Sequence, residues 1–301
     1  MASTKEIKDR IASVKDTQKI TSAMYLIAST KLTKAKRELN DTRPYFNELK
    51  TEIKRIFRTP NNIDSPYVYP PEGEPKERVT YGILVITADK GLAGSYNQNV
   101  IKEAEHLLAS YHGSKLYVVG EYGRRYYENH NIPIEKSFLY TAQNPTMERA
   151  REISSILLEE FHNKTLSKIF VVYTDMENAF NSKAYSTRLI PLHRKEFQTT
   201  KEEKEIHIPF GFYPNEVEVL NSIMPSYISG FIYSALVDSF CCEQNARMNA
   251  MKSANDNAEK LLSNLSLQYN TLRQAEITQE INEVSAGALA LRKKHRKEAK
   301  K

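Results

Sequence analysis

Glycine and proline are missing from both ends of this 301-residue chain. The first proline is Pro44 and the first glycine Gly73; the last proline is Pro225, and neither residue occurs between Gly230 and Gly287. These are the two residues that most disfavour a helix interior, proline by removing a donor and clashing, glycine by its backbone entropy. Two ends free of them around a broken middle predict helix, then α/β, then helix.

The first end reads as one long helix over residues 3 to about 57, with Pro44 as a possible point of disturbance. Ser3 and Glu6 have the spacing of a capping box. Ile7, Ile11 and Val14 recur at intervals of four and three, and Met24, Ile27, Ala28, Leu32 and Ala35 continue the stripe. It is narrow and alanine-rich, as in a coiled-coil seam rather than a broad core-facing side. At the other end, from about Glu216, the positions Ile277, Ile281, Val284, Ala288 and Leu291 alternate by four and three. Leu261, Leu265 and Leu272 form a similar stripe, with a phase slip near Arg273. Some 70 helical residues would reach roughly 100 Å, far longer than a domain of this mass is wide. Such a helix must pair with another. Residues 1–39 carry nine basic and four acidic side chains and residues 232–291 four basic and seven acidic, so the two ends attract one another. The expected arrangement is an antiparallel coiled coil of the two termini, with Ile7, Ile11 and Val14 facing Ile277, Ile281, Val284, Ala288 and Leu291 as its seam.

The middle alternates strands and helices: strand Val79–Thr87, helix Asn97–Tyr111, strand Lys115–Gly120, helix Met147–His162, and strands Lys168–Thr174 and Ala184–Leu192. That order predicts a small Rossmann-like α/β domain with an open sheet, parallel at least in part. Thr59–Lys76, with five prolines, reads as its entry linker, and Lys195–Pro214 as a polar exit loop. The division expected is an N-terminal helix over 1–58, a linker over 59–76, the α/β domain over 77–214, a C-terminal helix over 215–291 and a tail over 292–301.

Composition excludes several functions. No run of about 18 apolar residues is present, so no membrane-spanning helix is expected. The charged start predicts a chain that begins near Met1 and stays in the cytoplasm. The net charge of +6 is matched by the tail alone, where seven Lys or Arg and one Glu fall between Arg292 and Lys301. A solvated tail is preferred to a nucleic-acid patch. Cys241 and Cys242 are adjacent, which suits reduced structural thiols better than a bridge or a metal site. Asp89-Lys90-Gly91-Leu92-Ala93-Gly94 follows a strand and precedes a helix, but lacks both the Gly-Lys-Ser/Thr ending of a phosphate loop and the third glycine of a dinucleotide fingerprint. The seven histidines show no ligand spacing. No catalytic constellation, metal site or cofactor site is expected.

Three stretches resemble one family closely, the gamma subunit of the F-type ATP synthase. They are Lys5 to Ile11 with Thr17 to Met24; Ile86 through Asp89-Lys90-Gly91-Leu92-Ala93-Gly94 to Asn97; and Glu243 to Met251 with Asn270 to Ile281. The resemblance implies a central-stalk rotor that couples ion flow through the membrane c ring to conformational cycling of the catalytic beta subunits. The terminal coiled coil would then lie within a ring of three alpha and three beta subunits. The α/β domain would sit beside the epsilon subunit and the c ring, peripheral to the cytoplasmic face of a bacterial membrane without inserting. Carried over by position, Arg273, Gln274, Thr278 and Glu280 would contact beta subunits, Met24 and Arg247 would couple the coiled coil to that set, and Lys90 would face a beta subunit's acidic loop. For Arg247 and Glu280, an ion pair across the coiled coil is an alternative. Two departures stand out: Cys241-Cys242 occupy positions where the family has small residues, and ten largely basic residues follow Leu291. Rival readings are an α/β enzyme or scaffold with a dimerising coiled coil, and a nucleic-acid binder that uses the basic tail.

Overall fold

The computed structural model describes residues 3–58, 63–69, 79–139, 142–176, 182–197 and 211–298. Helix α1 spans Thr4–Phe57 and α5 spans Glu216–Glu298, 54 and 83 residues long. Between them come β1 (Tyr81–Ile86), α2 (Tyr96–Ser110), β2 (Lys115–Val119), α3 (Glu121–Asn129), β3 (Lys136–Phe138), α4 (Met147–His162), β4 (Lys168–Met176) and β5 (Ser182–Ile190). The capping box at the start of α1 is formed: the Ser3 amide donates to Glu6 Oε2 at 3.0 Å and the Glu6 amide to Ser3 Oγ at 3.2 Å. At the start of α5, Asn215 Oδ1 accepts the Glu218 amide at 2.9 Å. Both helices pass through their prolines, Pro44 and Pro225, without a break. α5 also continues beyond Leu291, the expected end. The side chains from Ala290 onward lie outside the described residues, as do most of the proline-rich linker and the exit loop.

The chain divides into two compact units, one made of residues 28–248 and the other of residues 1–27 with 249–301. Each long helix contributes to both.

In the first unit the sheet order is β3-β2-β1-β4-β5. β1, β2, β3 and β4 run parallel and β5 closes the edge antiparallel to β4. Strand alternation separates two cores. Leu84, Ile86, Tyr117, Val119 and Val171 face α4, the second half of α1 (Ile53, Ile56, Phe57) and the first part of α5 (Leu220, Met224, Ile228, Ile232). Ile83, Val85, Leu116, Val118 and Val172 face the side covered by α2 and α3. The adjacent cysteines serve one core each, Cys241 the first and Cys242 the second. Burial pushes the Cys241 thiol up to about 11 and the Cys242 thiol further still, so both stay protonated and unreactive at neutral pH.

In the second unit two hydrogen bonds give the antiparallel register. Thr4 Oγ1 donates to Glu276 Oε1 at 3.0 Å, and Thr21 bonds Asn255. Ile7, Met251 and Leu265 are buried, and Ile11, Val14 and Met24 half-buried. The expected far side of the seam is not formed. Ile277, Ile281 and Val284 are 44%, 59% and 74% exposed, and Ala288 is exposed as well. The register supplies the reason. Thr4 already lies opposite Glu276, so α5 has run past the start of α1 before Ile281 is reached. The side chain of Leu291 lies outside the described residues. Ile27, assigned to the same stripe on the N-terminal side, is 56% exposed.

Candidate partner interface

A Rossmann-like sheet places functional loops at the carboxyl ends of its strands. Here those loops are the turn Asp89–Gly94 after β1 and the start of α3 after β2. They line a cleft of about 700 Å³ with Lys90, Arg124, Arg125, Leu139 and Gln143. In nucleotide-binding relatives of this architecture, free amides at a helix start hold phosphate. In this chain the protein itself takes them. Asp89 Oδ1 accepts the Glu121 amide at 3.0 Å, the Ala88 carbonyl accepts the Tyr122 amide at 3.0 Å, and Thr87 Oγ1 accepts the Gly123 amide at 3.0 Å. A Cβ on Gly123 would meet Thr87 Oγ1 at 2.6 Å, so only glycine lets the helix come this close.

The two arginines of the cleft are neutralised within the chain as well. Arg124 binds Glu121 and Glu128 at 2.6 Å, and Arg125 binds Glu121 at 2.7 Å. These guanidinium bonds hold the Glu121 carboxyl down at about 2. Among the described residues no group of His, Cys, Asp and Glu is arranged to hold a metal ion.

What the turn does possess is rigidity. The Ala88 amide donates to the buried Asn97 Oδ1 at 2.9 Å. Arg247, on α5, donates from Nη2 to the carbonyls of Lys90 and Gly91 at 3.3 and 3.0 Å. Its Nη1 lies 2.5 Å from Glu243 Oε1, one helical turn earlier, and both side chains are almost wholly enclosed. Burial pushes the Glu243 carboxyl above its usual range, while Arg247 pulls the other way. A fork donor that satisfies a carboxylate and two carbonyls is the arrangement that makes a buried guanidinium tolerable. Within this fastened turn Ala93 points inward, whereas Leu92 is 65% exposed and has a left-handed φ of 61°.

The residues singled out from sequence therefore separate into kinds. Lys90 is exposed on the turn. Arg247 turns inward, so it does not present itself to a partner, and its ion pair is with Glu243 and not Glu280. Met24 is half-buried in the helical pair. Arg273, Gln274, Thr278 and Glu280 are all exposed along α5, and Thr278 Oγ1 bonds back to the Gln274 carbonyl at 2.8 Å. Sequence reasoning did not single out Leu92, Asn97 or Glu243, which the structure places in the turn or among the contacts that fasten it. The available signal was a large apolar side chain in a turn between two glycines, where turn chemistry favours small or polar residues.

The sequence profile of the ATP synthase family described as ATP synthase matches residues 3–291. The ATP synthase gamma chain of Caldanaerobacter subterraneus subsp. tengcongensis is 41% identical over 295 residues, covering 94% of this chain and 98% of that one. Among solved structures, the central stalk and c ring of the Tetrahymena thermophila mitochondrial ATP synthase contain a chain that matches with a TM-score of 0.59 at 22% identity, over 78% of this chain and 99% of that one. The Euglena gracilis mitochondrial OSCP/F1/c-ring assembly contains one that matches with a TM-score of 0.64 at 13% identity, over 96% and 94%. At those identities the two structures speak to the fold alone.

Proposed function

Because this chain belongs to the ATP synthase gamma chain family, we propose that its paired terminal helices are the part that turns against the catalytic ring of alpha and beta subunits. It is a non-catalytic subunit of the synthase, a central-stalk rotor. Its chemistry is mechanical: ATP forms and is hydrolysed in the ring. A shaft that offers a different face to each beta subunit biases each toward a different conformation, because a contact shifts an equilibrium only by its differential free energy between states. Rotation by the ion-driven c ring then carries every beta subunit through the same cycle.

The observation that carries this reading is the stretch of α5 from Arg273 to Ala288. It combines exposed apolar residues (Ile277, Ile281, Val284) with exposed polar ones (Arg273, Gln274, Thr278, Glu280), and among the described residues α1 gives it no cover beyond Glu276. We assign Arg273, Gln274, Thr278 and Glu280 to contacts with beta subunits, Lys90 to a beta subunit's acidic loop, and Met24 to the coupling of the helical pair to that set. We assign the α/β unit to the epsilon subunit and the c ring, at the cytoplasmic face of the bacterial membrane. Among the described residues no helix is long and apolar enough to cross a membrane.

The test is co-expression with the alpha and beta subunits of the same organism, followed by capture on a tag placed on this chain and an ATPase assay. The expected product contains three alpha, three beta and one copy of the chain, and is active only when assembled. A chain that purifies alone and never joins the ring would move the scaffold and nucleic-acid readings to the front.

A further inference from the structure

Among the described residues of the α/β unit, Leu92 is the one exposed large apolar side chain with a left-handed backbone. It is 65% exposed at a φ of 61°, a conformation that bulky L-residues rarely adopt. An exposed leucine gains nothing from burial in the chain, and a left-handed leucine is disfavoured relative to the glycines that stand on either side at Gly91 and Gly94. Outliers of this kind persist where the surroundings hold them, and they concentrate at functional positions.

The surroundings here hold the turn at successive residues. The Ala88 amide is bound by Asn97, Asp89 Oδ1 by the Glu121 amide, and the Lys90 and Gly91 carbonyls by Arg247. Immediately after Leu92, Ala93 is buried against the core. The anchors lie directly beside the exposed side chain, and Lys90 stands exposed two residues earlier.

We propose that Leu92 is the apolar contact point of the turn, held outward by Arg247 and Asn97 so that it enters an apolar recess on a ring subunit while Lys90 meets a carboxylate beside that recess. The proposal rests on the rotor reading and adds to it the residue that grips. Arg247 is then a positioning residue, acting on the ring through the turn. Pre-organisation suits this use, since a side chain already fixed in its bound geometry loses little freedom on contact.

The experiment uses the assembled complex of alpha, beta and this chain. A photo-crosslinking residue is placed at position 92 (Leu92→p-benzoylphenylalanine) and, as a control, at His112, which is exposed on the turn following α2. Crosslinks to a ring subunit from position 92 and none from position 112 are expected. In parallel, Leu92→Gly removes the knob yet suits the left-handed backbone. Its ring affinity is expected to fall by about tenfold, the worth of burying one such side chain, with no fall in the melting temperature of the isolated chain. Leu92→Met, similar in size and polarity, is expected to restore affinity to near that of the unaltered chain. Failure of position 92 to crosslink in a complex that does assemble would overturn the proposal and leave the rotor reading intact. So would wild-type affinity of Leu92→Gly, or a drop in its melting temperature alongside weaker binding, which would assign Leu92 to the chain's own packing. Failure of the unaltered chain to assemble would remove both readings together.

Discussion

The first part of α5 and its last part are the same helix with opposite surroundings. Between Glu216 and Met248 the apolar positions Leu220, Met224, Ile228, Ile232, Leu236 and Phe240 are buried against the sheet, α4 and α1. Beyond Asn249 the buried apolar positions among the described residues are Met251 and Leu265, while Ile277, Ile281 and Val284 stand in solvent. α1 mirrors this: Ile53 and Ile56 are fully buried, and Ile20 and Leu26 are 61% and 64% exposed. Apolar residues at helical spacing thus have two uses in one chain. In the inner parts they build a core; in the outer parts they exceed what the helical pair can cover, which marks that surface for a partner.

The comparison can be broken most directly by truncating one isoleucine from each part. Ile228→Ala empties a fully buried position and should cost about 2–5 kcal/mol of stability, read as a lower denaturant midpoint of the isolated chain. If that loss were absent, the inner part of α5 would not be a core element. Next in size is Gly230→Ala. Alanine normally improves a helix interior by up to about 1 kcal/mol. Here its Cβ would sit 2.0 Å from the Phe46 ring on α1, so overpacking should dominate, with a net loss of roughly 1–3 kcal/mol. Adding Phe46→Leu should return part of the loss, and an unchanged melting temperature for Gly230→Ala alone would contradict the close approach of the helices.

A smaller effect should come from Asp238, within the buried stretch of α5. Burial and the nearby Asp175 push its carboxyl from the ordinary 3.8 up to about 6, against the pull of Arg43. Between those values the folded chain binds more protons at this site than the unfolded one, so its contribution falls as pH rises through the window and is most adverse above it. Asp238→Asn should therefore raise the melting temperature at pH 7 by about 3 °C and flatten its pH dependence between 4 and 6. A loss of stability at pH 7 would mean that the carboxylate is favourably paired. The smallest change is expected from Ile281→Ala, within about 0.5 kcal/mol in the isolated chain. A clear destabilisation would show that the outer stripe is covered after all, and would remove the reason for assigning it to a partner.

Several elements were legible before the fold was known because local chemistry specifies them. The absence of glycine and proline marked both long helices. Ser3 with Glu6 marked the start of the first, and the boundaries of α4, Met147 and His162, follow from its apolar period. Other elements were invisible for equally physical reasons. α3 (Glu121–Asn129) is short, its large apolar side chains are all tyrosines and it contains Gly123; Thr87, Ala88 and Asp89 receive its first amides. β3 has three residues and is defined by pairing with β2. Pro44 and Pro225 carry the ordinary helix-breaking penalty of about 3 kcal/mol, which the long packed helices around them outweigh.

The interface was divided in the same manner. Lys90, Arg273, Gln274, Thr278 and Glu280 lie exposed, whereas Arg247 folds inward onto Glu243 and onto turn carbonyls 156 and 157 positions away in the chain. The sequence by itself determined that two long helices flank an α/β sheet, because helix formation is written in local propensity and spacing. Only the tertiary structure decided which stripe residues are covered. Periodicity says which side chains share a face of a helix, whereas the register between α1 and α5 says what, if anything, lies opposite them.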